Sequence, residues 1–353
     1  MRAYIRGTGL ISPQSTFSIT GFPDDIRESD NNLLRCIEPS YLDFLNPVMA
    51  RRMGRVIKMG ITSAIICMKN ARLDMPDAII TGTALGCLGD TENFLKAIIA
   101  DDEQFLTPTS FIQSIQNSVS AQIALHLNCT GHNFTFAHKG FSFESALLNA
   151  LMLLEEGDAQ NVLTGGIDEM TDHNYFFYDK LGLWKKEKIH SSELLQSNTP
   201  GTIGGEGSAF FVLSKKASGD DYAILTAVKT IYNPESTQIM QEIISSFLNE
   251  NHLGQEDIDL VLYGFNGDNR SDHWYASVKE NFLTTSAAGY FKHLCGEYQT
   301  SGSFALWLAA CCIKNRKIPD AILLEKQKSE RLNHVLIYNM YGNNHSLLLL
   351  KKI

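Results

Sequence analysis

The chain has 353 residues, with 39 acidic and 30 basic side chains, a net charge of −9 and 44% hydrophobic residues. That length and composition describe a globular protein with a large core, built as one large or two fused domains. The acidic balance excludes nucleic acid and anionic lipid as partners, since both are held by clustered Lys and Arg.

Apolar periodicity marks the elements in chain order. Residues 56–70 have a helical pattern, followed by an acidic turn and a buried strand, Asp77-Ala78-Ile79-Ile80-Thr81-Gly82. Residues 141–155, rich in Ala and Leu, predict a buried helix. Gly205-Glu206-Gly207-Ser208 leads into a strand over 209–213 and ends at Lys215-Lys216. Residues 239–249 repeat the helix, turn and strand, ending at Asp259-Leu260-Val261-Leu262-Tyr263-Gly264. A second helix that is apolar on more than one face is predicted over 302–313. Gly342-Asn343-Asn344-His345-Ser346 leads into Leu347–Leu350 and ends at Lys351-Lys352, an echo of 205–216. The two echoes predict an α/β protein of two related halves, 1–217 and 218–353, each built round its own sheet and together forming one unit.

Other features narrow the class. The longest apolar run, Ala305–Ile313, is too short for a membrane span, which needs about 20 residues. Met1-Arg2-Ala3-Tyr4-Ile5-Arg6 lacks a signal peptide's apolar stretch, so a soluble cytoplasmic protein is expected. The seven cysteines include no C-x-x-C and are expected to be reduced, buried thiols. No metal and no cofactor are expected: paired thiol ligands are lacking, and the glycine-rich stretches 82–89 and 204–207 fit no phosphate-binding loop. Arg51, Arg52 and Arg55, and likewise Lys185, Lys186 and Lys188, form local basic clusters that could dock an acidic carrier.

The most informative stretch runs from Gly131 to Gly166. It reads Gly131-His132-Asn133-Phe134-Thr135-Phe136-Ala137-His138-Lys139-Gly140, then the buried helix, then Gly157-Asp158-Ala159 and a strand ending in Gly165-Gly166. Without a gap, this resembles the nucleophile segment of the β-ketoacyl synthases, the condensing enzymes of fatty-acid and polyketide synthesis. Further matches come in family order: Gly7-Thr8-Gly9-Leu10-Ile11-Ser12-Pro13, Arg51-Arg52-Met53-Gly54-Arg55, Gly82-Thr83-Ala84-Leu85-Gly86, Pro108 to Gly131, and Gly205-Glu206-Gly207. The resemblance implies the thiolase fold, two α/β halves in a five-layer α-β-α-β-α arrangement.

The family's chemistry needs a cysteine at a helix N-terminus and two histidines that stabilise the enolate. By resemblance the cysteine falls on Gly140. The first histidine falls on Asn266 (or on Phe265 if the turn keeps full length), and the second on Glu297. The family's gating phenylalanine falls on Met340. No residue is therefore expected to catalyse ordinary condensation. Phe141, Ser142, Lys292, Cys295 and Met340 are candidates to line the old pocket. Ser142, Cys295, His138 and His293 are the groups nearby that could substitute, with packed structural roles the simpler expectation.

Family members without the cysteine include the chain-length factors of type II polyketide and polyene systems, which pair with an active ketosynthase and shape its cavity. The resemblance implies such a role here, in fatty-acid-like, polyketide or aryl-polyene synthesis. The implied partners are an active ketosynthase subunit, or a second copy of this chain, and acyl carrier protein. Condensing enzymes dimerise through the strand before the nucleophile, here about Asn133–His138, so Phe134, Phe136 and His138 are candidate interface residues. Two alternatives stand beside it: an active 3-oxoacyl synthase or acyltransferase using non-standard residues, and a structural or regulatory dimer that binds no acyl group.

Overall fold

Strand-length apolar runs and helices buried on several sides account for most of the core, and their order sets the topology. The computed structural model describes residues 2–17, 21–104, 106, 108–325 and 331–353. In chain order the elements begin β1 (Ala3–Ile11), β2 (Leu33–Leu34), α1 (Pro47–Ala50), α2 (Arg55–Ala71), β3 (Ala78–Gly82), α3 (Leu88–Ala100), α4 (Pro108–Gln113) and α5 (Ser118–Leu127). They continue β4 (His132–Phe136), α6 (Ser142–Glu156), β5 (Asn161–Asp168), α7 (Asp172–Lys180), β6 (Gly204–Gly205) and β7 (Gly207–Ser214). The remainder are β8 (Ala223–Tyr232), α8 (Thr237–Glu250), β9 (Leu260–Tyr263), α9 (His273–Asn281), β10 (Ala287–Tyr290), α10 (Lys292–Cys295), α11 (Gly302–Asn315), β11 (His334–Tyr341) and β12 (Asn344–Lys351).

Rather than the separate sheet expected for each half, the ten longer strands form one mixed sheet in the order β10-β9-β11-β12-β8-β1-β7-β5-β3-β4, because β1 and β8 hydrogen-bond across its middle. Its middle is a short antiparallel seam, where Ala3–Ile5 of β1 pair with Ala223–Leu225 of β8. On either side of the seam the order of arrival is the same: β1, β3, β4, β5 and β7 occupy the places taken by β8, β9, β10, β11 and β12. The helix preceding each second strand (α2, α8) and the helix preceding each fourth (α6, α11) recur in step. Both echoes in the sequence correspond to these repeated positions.

The core resolves into three slabs. α6 and α11 share one cluster with residues from both sides of the seam, including Phe143, Leu147, Phe211, Phe304 and Leu348. α2 and α5 cover the other face of β1, β5 and β7 through Ile57, Ile61, Ile123 and Phe210. α8 and α9 cover β9, β11 and β12 through Ile244, Tyr275, Tyr338 and Leu349. The result is the α-β-α-β-α stack. Glycine is required on β1, where α2 lies so close that a Cβ on Gly9 would fall 2.1 Å from the Ser63 carbonyl oxygen.

The two ends of the sheet differ. β10 is closed by Leu323 and Leu324, the latter donating its amide to the Ala288 carbonyl at 2.9 Å. β4 has no strand beyond it among the described residues, and its Phe134 is 49% exposed.

Several sequence expectations are met and others corrected. All seven cysteines are buried and unpaired. No helix among the described residues is long and apolar enough to cross a membrane. The strand expected to reach His138 stops at Phe136, because the chain turns at Lys139, whose φ is +50°. The basic clusters are smaller than their sequences suggest. Arg55 is engaged by Glu38 and Glu206. Lys185 is buried, with its ammonium donating to the Thr199 and Gly267 carbonyls at 3.1 and 2.9 Å. Arg51, Arg52, Lys186 and Lys188 remain exposed.

Candidate functional site

Gly140 lies buried in a tight turn over Lys139–Phe141 that feeds the N-terminus of α6. Ser142 locks this turn: its Oγ accepts from the His138 amide at 2.8 Å and donates to the Lys139 carbonyl at 2.8 Å. The His138 ring turns away and meets the edge of Phe141. Ser142 and His138 therefore form no side-chain dyad, and the hydroxyl is spent on the backbone. The space beside Gly140 is filled from the β11–β12 hairpin. A Cβ there would stand 3.0 Å from Tyr341 Cβ and 3.0 Å from Asn344 Nδ2.

The two positions matched to histidine meet each other. Asn266 follows β9, where Asp272 fixes the turn by accepting from the Asn266 and Gly267 amides at 3.1 and 2.8 Å. Glu297 follows α10 after Gly296, whose φ of +71° turns the chain where a Cβ would meet the Gly204 carbonyl. Asn266 Nδ2 donates to Glu297 Oε2 at 2.8 Å. Lys292 Nζ donates to Glu297 Oε1 at 2.5 Å and to Ser301 Oγ at 2.7 Å. Lys292 and Glu297 are both buried, so the pair is a desolvated, hydrogen-bonded salt bridge.

Tyr341 links the two clusters. Besides closing on Gly140, it carries a hydroxyl that is pushed up by burial and further by its neighbours Tyr178 of α7 and Glu297. Phe265 packs its ring at a tilt against Tyr263 and Tyr275.

The remaining candidates are fixed in place. Met340 sits in the aromatic core beneath α8 and α9, its amide donating to Tyr275 Oη at 2.8 Å. Burial raises the Cys295 thiol far above its usual range, so it carries no thiolate. Burial drives His293 down to about 3, leaving a neutral ring stacked on Tyr290 with Nε2 against the Ala321 carbonyl at 3.0 Å. Phe141 is buried, Phe136 is half-buried, and Phe134 and His138 are exposed. A cavity of about 540 Å³ opens beside the Asn266 turn, lined by Leu195, Phe265, Gly267, Asp272 and His273 among others. None of the five residues expected to line the old pocket borders this cavity.

Two buried acids here escape sequence reasoning. Asp168 at the end of β5 accepts from Thr83 Oγ1, the Ala84 amide, and both the amide and hydroxyl of Thr300, tying β5 to the start of α11. Burial still lifts it to about 6. Glu144, on the inward face of α6, is fully enclosed. Its spacing from Leu147 and Leu151 is the one sequence signal that it points inward.

Comparisons with known proteins agree with this architecture. Residues 27–188 match the family described as beta-ketoacyl synthase, N-terminal domain. The chain is 22% identical over 185 residues to 3-oxoacyl-[acyl-carrier-protein] synthase 2 of Staphylococcus aureus (strain N315), covering 50% of this chain and 45% of that protein. The match thus spans about half the length of that relative. A β-ketoacyl synthase from Burkholderia phymatum STM815 superposes with a TM-score of 0.80 at 14% identity, covering 100% of this chain and 99% of that one. A complex of a ketosynthase with its chain length factor from Xenorhabdus doucetiae gives 0.77 at 15% identity, covering 99% and 98%. The chain therefore has the thiolase fold of these condensing enzymes throughout, and over residues 27–188 it is similar to the β-ketoacyl synthase N-terminal domain.

Proposed function

We propose that this chain is a catalytically silent subunit of the chain-length-factor type. It pairs through the β4 edge with an active, cysteine-bearing ketosynthase and shapes the cavity in which an acyl chain grows. The context is fatty-acid-like, polyketide or aryl-polyene synthesis, with acyl carrier protein delivering substrate to the partner. One observation carries the reading. At the three positions matched to catalytic residues the side chains are absent or spent: Gly140 is filled by Tyr341 and Asn344, and Glu297 is held by Lys292 and Asn266. A carboxylate at Glu297 would repel an enolate rather than stabilise it. The similarity to a ketosynthase solved together with its chain length factor supports the pairing.

The test is co-expression with a cysteine-bearing ketosynthase from the same genome, followed by native mass spectrometry and acyl loading from acyl carrier protein. A one-to-one complex with acyl groups on the partner alone is the expected result. Acylation of this chain, or condensation by it alone, would establish the enzyme reading instead. A self-paired dimer that binds neither partner nor acyl group would establish the structural reading.

A further inference from the structure

The layer shared by the two sides of the sheet contains a carboxyl group with no salt-bridge partner and an empty acceptor. Glu144 of α6 is 1% exposed. Its Oε1 accepts from Ser346 Oγ of β12 at 2.9 Å, and its Oε2 has no partner. The group stands against the first residue of α11: a Cβ on Gly302 would lie 2.8 Å from Glu144 Oε1 and 3.6 Å from Asn339 Nδ2. Asn339, buried on β11, also has an unpartnered acceptor in its Oδ1. That Oδ1 faces Gly264, where a Cβ would lie 2.6 Å away, so it is Glu144 Oε2 that stands unpartnered inside the layer, and a buried carboxylate oxygen without a donor favours the protonated form.

The charged groups around Glu144 do not neutralise it. Lys292 of α10 is the cation that acts on it, and that ammonium is already held by Glu297 and Ser301. Asp168 at the end of β5 is saturated by Thr83, Ala84 and Thr300. β3 and β7 carry no titratable residue. His132 of β4, Lys139 of the preceding turn, Lys314 of α11 and Glu155 and Glu156 of α6 itself are all exposed. Lys229 of β8 is taken by Glu250, and His345 of β12 faces Tyr338.

We infer that Glu144 is held protonated in the folded protein and that its ionisation loosens the seam between α6 and α11, a pH-sensitive joint at the centre of the fold. Burial raises this carboxyl from 4.5 to about 7. A raised folded-state value means that the folded chain binds this proton more tightly than the unfolded chain. The stabilisation is complete below the ordinary carboxylate range, is lost as pH rises towards neutrality, and is flat beyond. Across that window Glu144 alone changes the folding equilibrium about tenfold per pH unit. The inference does not depend on the functional reading above.

The experiment compares the full chain with Glu144→Gln in urea unfolding at several pH values between about 5 and 8. The difference in the pH dependence of stability should amount to one proton, the variant being flatter. Identical pH dependence overturns the proposal. Because Glu144→Gln could fail to fold, infrared spectra of the wild-type chain give a second reading. A protonated-carboxyl carbonyl band is expected that titrates near neutrality and shifts in Glu144→Asp. A spectrum lacking any such band across this range also overturns it.

Discussion

Lys292 and Glu297 set the energetics of the candidate site at the level of single residues. Each is buried, and each is the other's main compensation for leaving water. Replacing Lys292 by Met strands the carboxylate of Glu297, and the expected loss is about 3–5 kcal/mol in chemical denaturation. Adding Glu297→Gln removes the stranded charge, so the double variant should recover much of that loss, a coupling that a double-mutant cycle measures directly. Gly140→Cys tests the other half of the site. The new side chain meets Tyr341 and Asn344, so overpacking of about 1–3 kcal/mol is expected in thermal or urea unfolding. No acyl loading should appear in mass spectra, since Glu297 and Asn266 stay in place. Motif spacing singled out Gly140, Asn266 and Glu297 as one candidate site, and in the fold Asn266 and Glu297 do meet. That Tyr341 and Asn344 fill the space beside Gly140 was not legible in the sequence. It depends on the register of the β11–β12 hairpin, in which Tyr341 faces Asn344, and on the meeting of segments some 200 residues apart in sequence.

Among the elements, β4 carries the sharpest expectation. Its burial pattern is exposed at His132, Asn133 and Phe134 and only half-buried at Thr135 and Phe136, unlike the fully buried β3 beside it. An apolar strand with unpaired backbone groups is a template for pairing. Phe134→Lys should abolish assembly with the partner in native mass spectrometry. The stability of the isolated chain should change by no more than about 0.5 kcal/mol, because the side chain is at the surface. Helix and strand placement was legible wherever the apolar pattern was long. α2, α6, α8 and α11 lie within two residues of their expected bounds. Shorter elements such as α7, α9 and α10 left no strong periodicity and are fixed by packing instead, α7 through the stacking of Tyr175 on Trp184.

At the scale of the molecule, burial of acids biases the fold towards mild acidity. Glu144 and Glu169 are lifted to about 7, Asp272 to about 7 and Asp168 to about 6, all chiefly by desolvation. Each binds its proton more tightly when folded, so each contributes stability that fades as pH rises from the usual carboxylate range to neutrality. Glu206 and Asp268 are shifted downwards by Arg55 and Arg270 and oppose this below that range, and the buried rings of His293 and His345, lowered to about 3 and 4, oppose it through the ordinary imidazole range, where the four acids outweigh them. The urea midpoint of the chain should accordingly be higher near pH 5.5 than near pH 7.5, and a midpoint that climbs towards alkaline pH would contradict this. The doubled architecture was legible because the same helix–strand–glycine order occurs twice. The bond between the halves was not, since the β1–β8 seam involves three residues a side with no signature of their own.

The unequal ends of the sheet limit growth. With β10 closed by Leu323 and Leu324 and β4 open, the sheet has a valence of one. Joining at β4 uses up the only open end among the described residues and leaves capped ends on both outsides. Association of this kind terminates after a single step, whereas a sheet open at both ends would propagate into a ribbon.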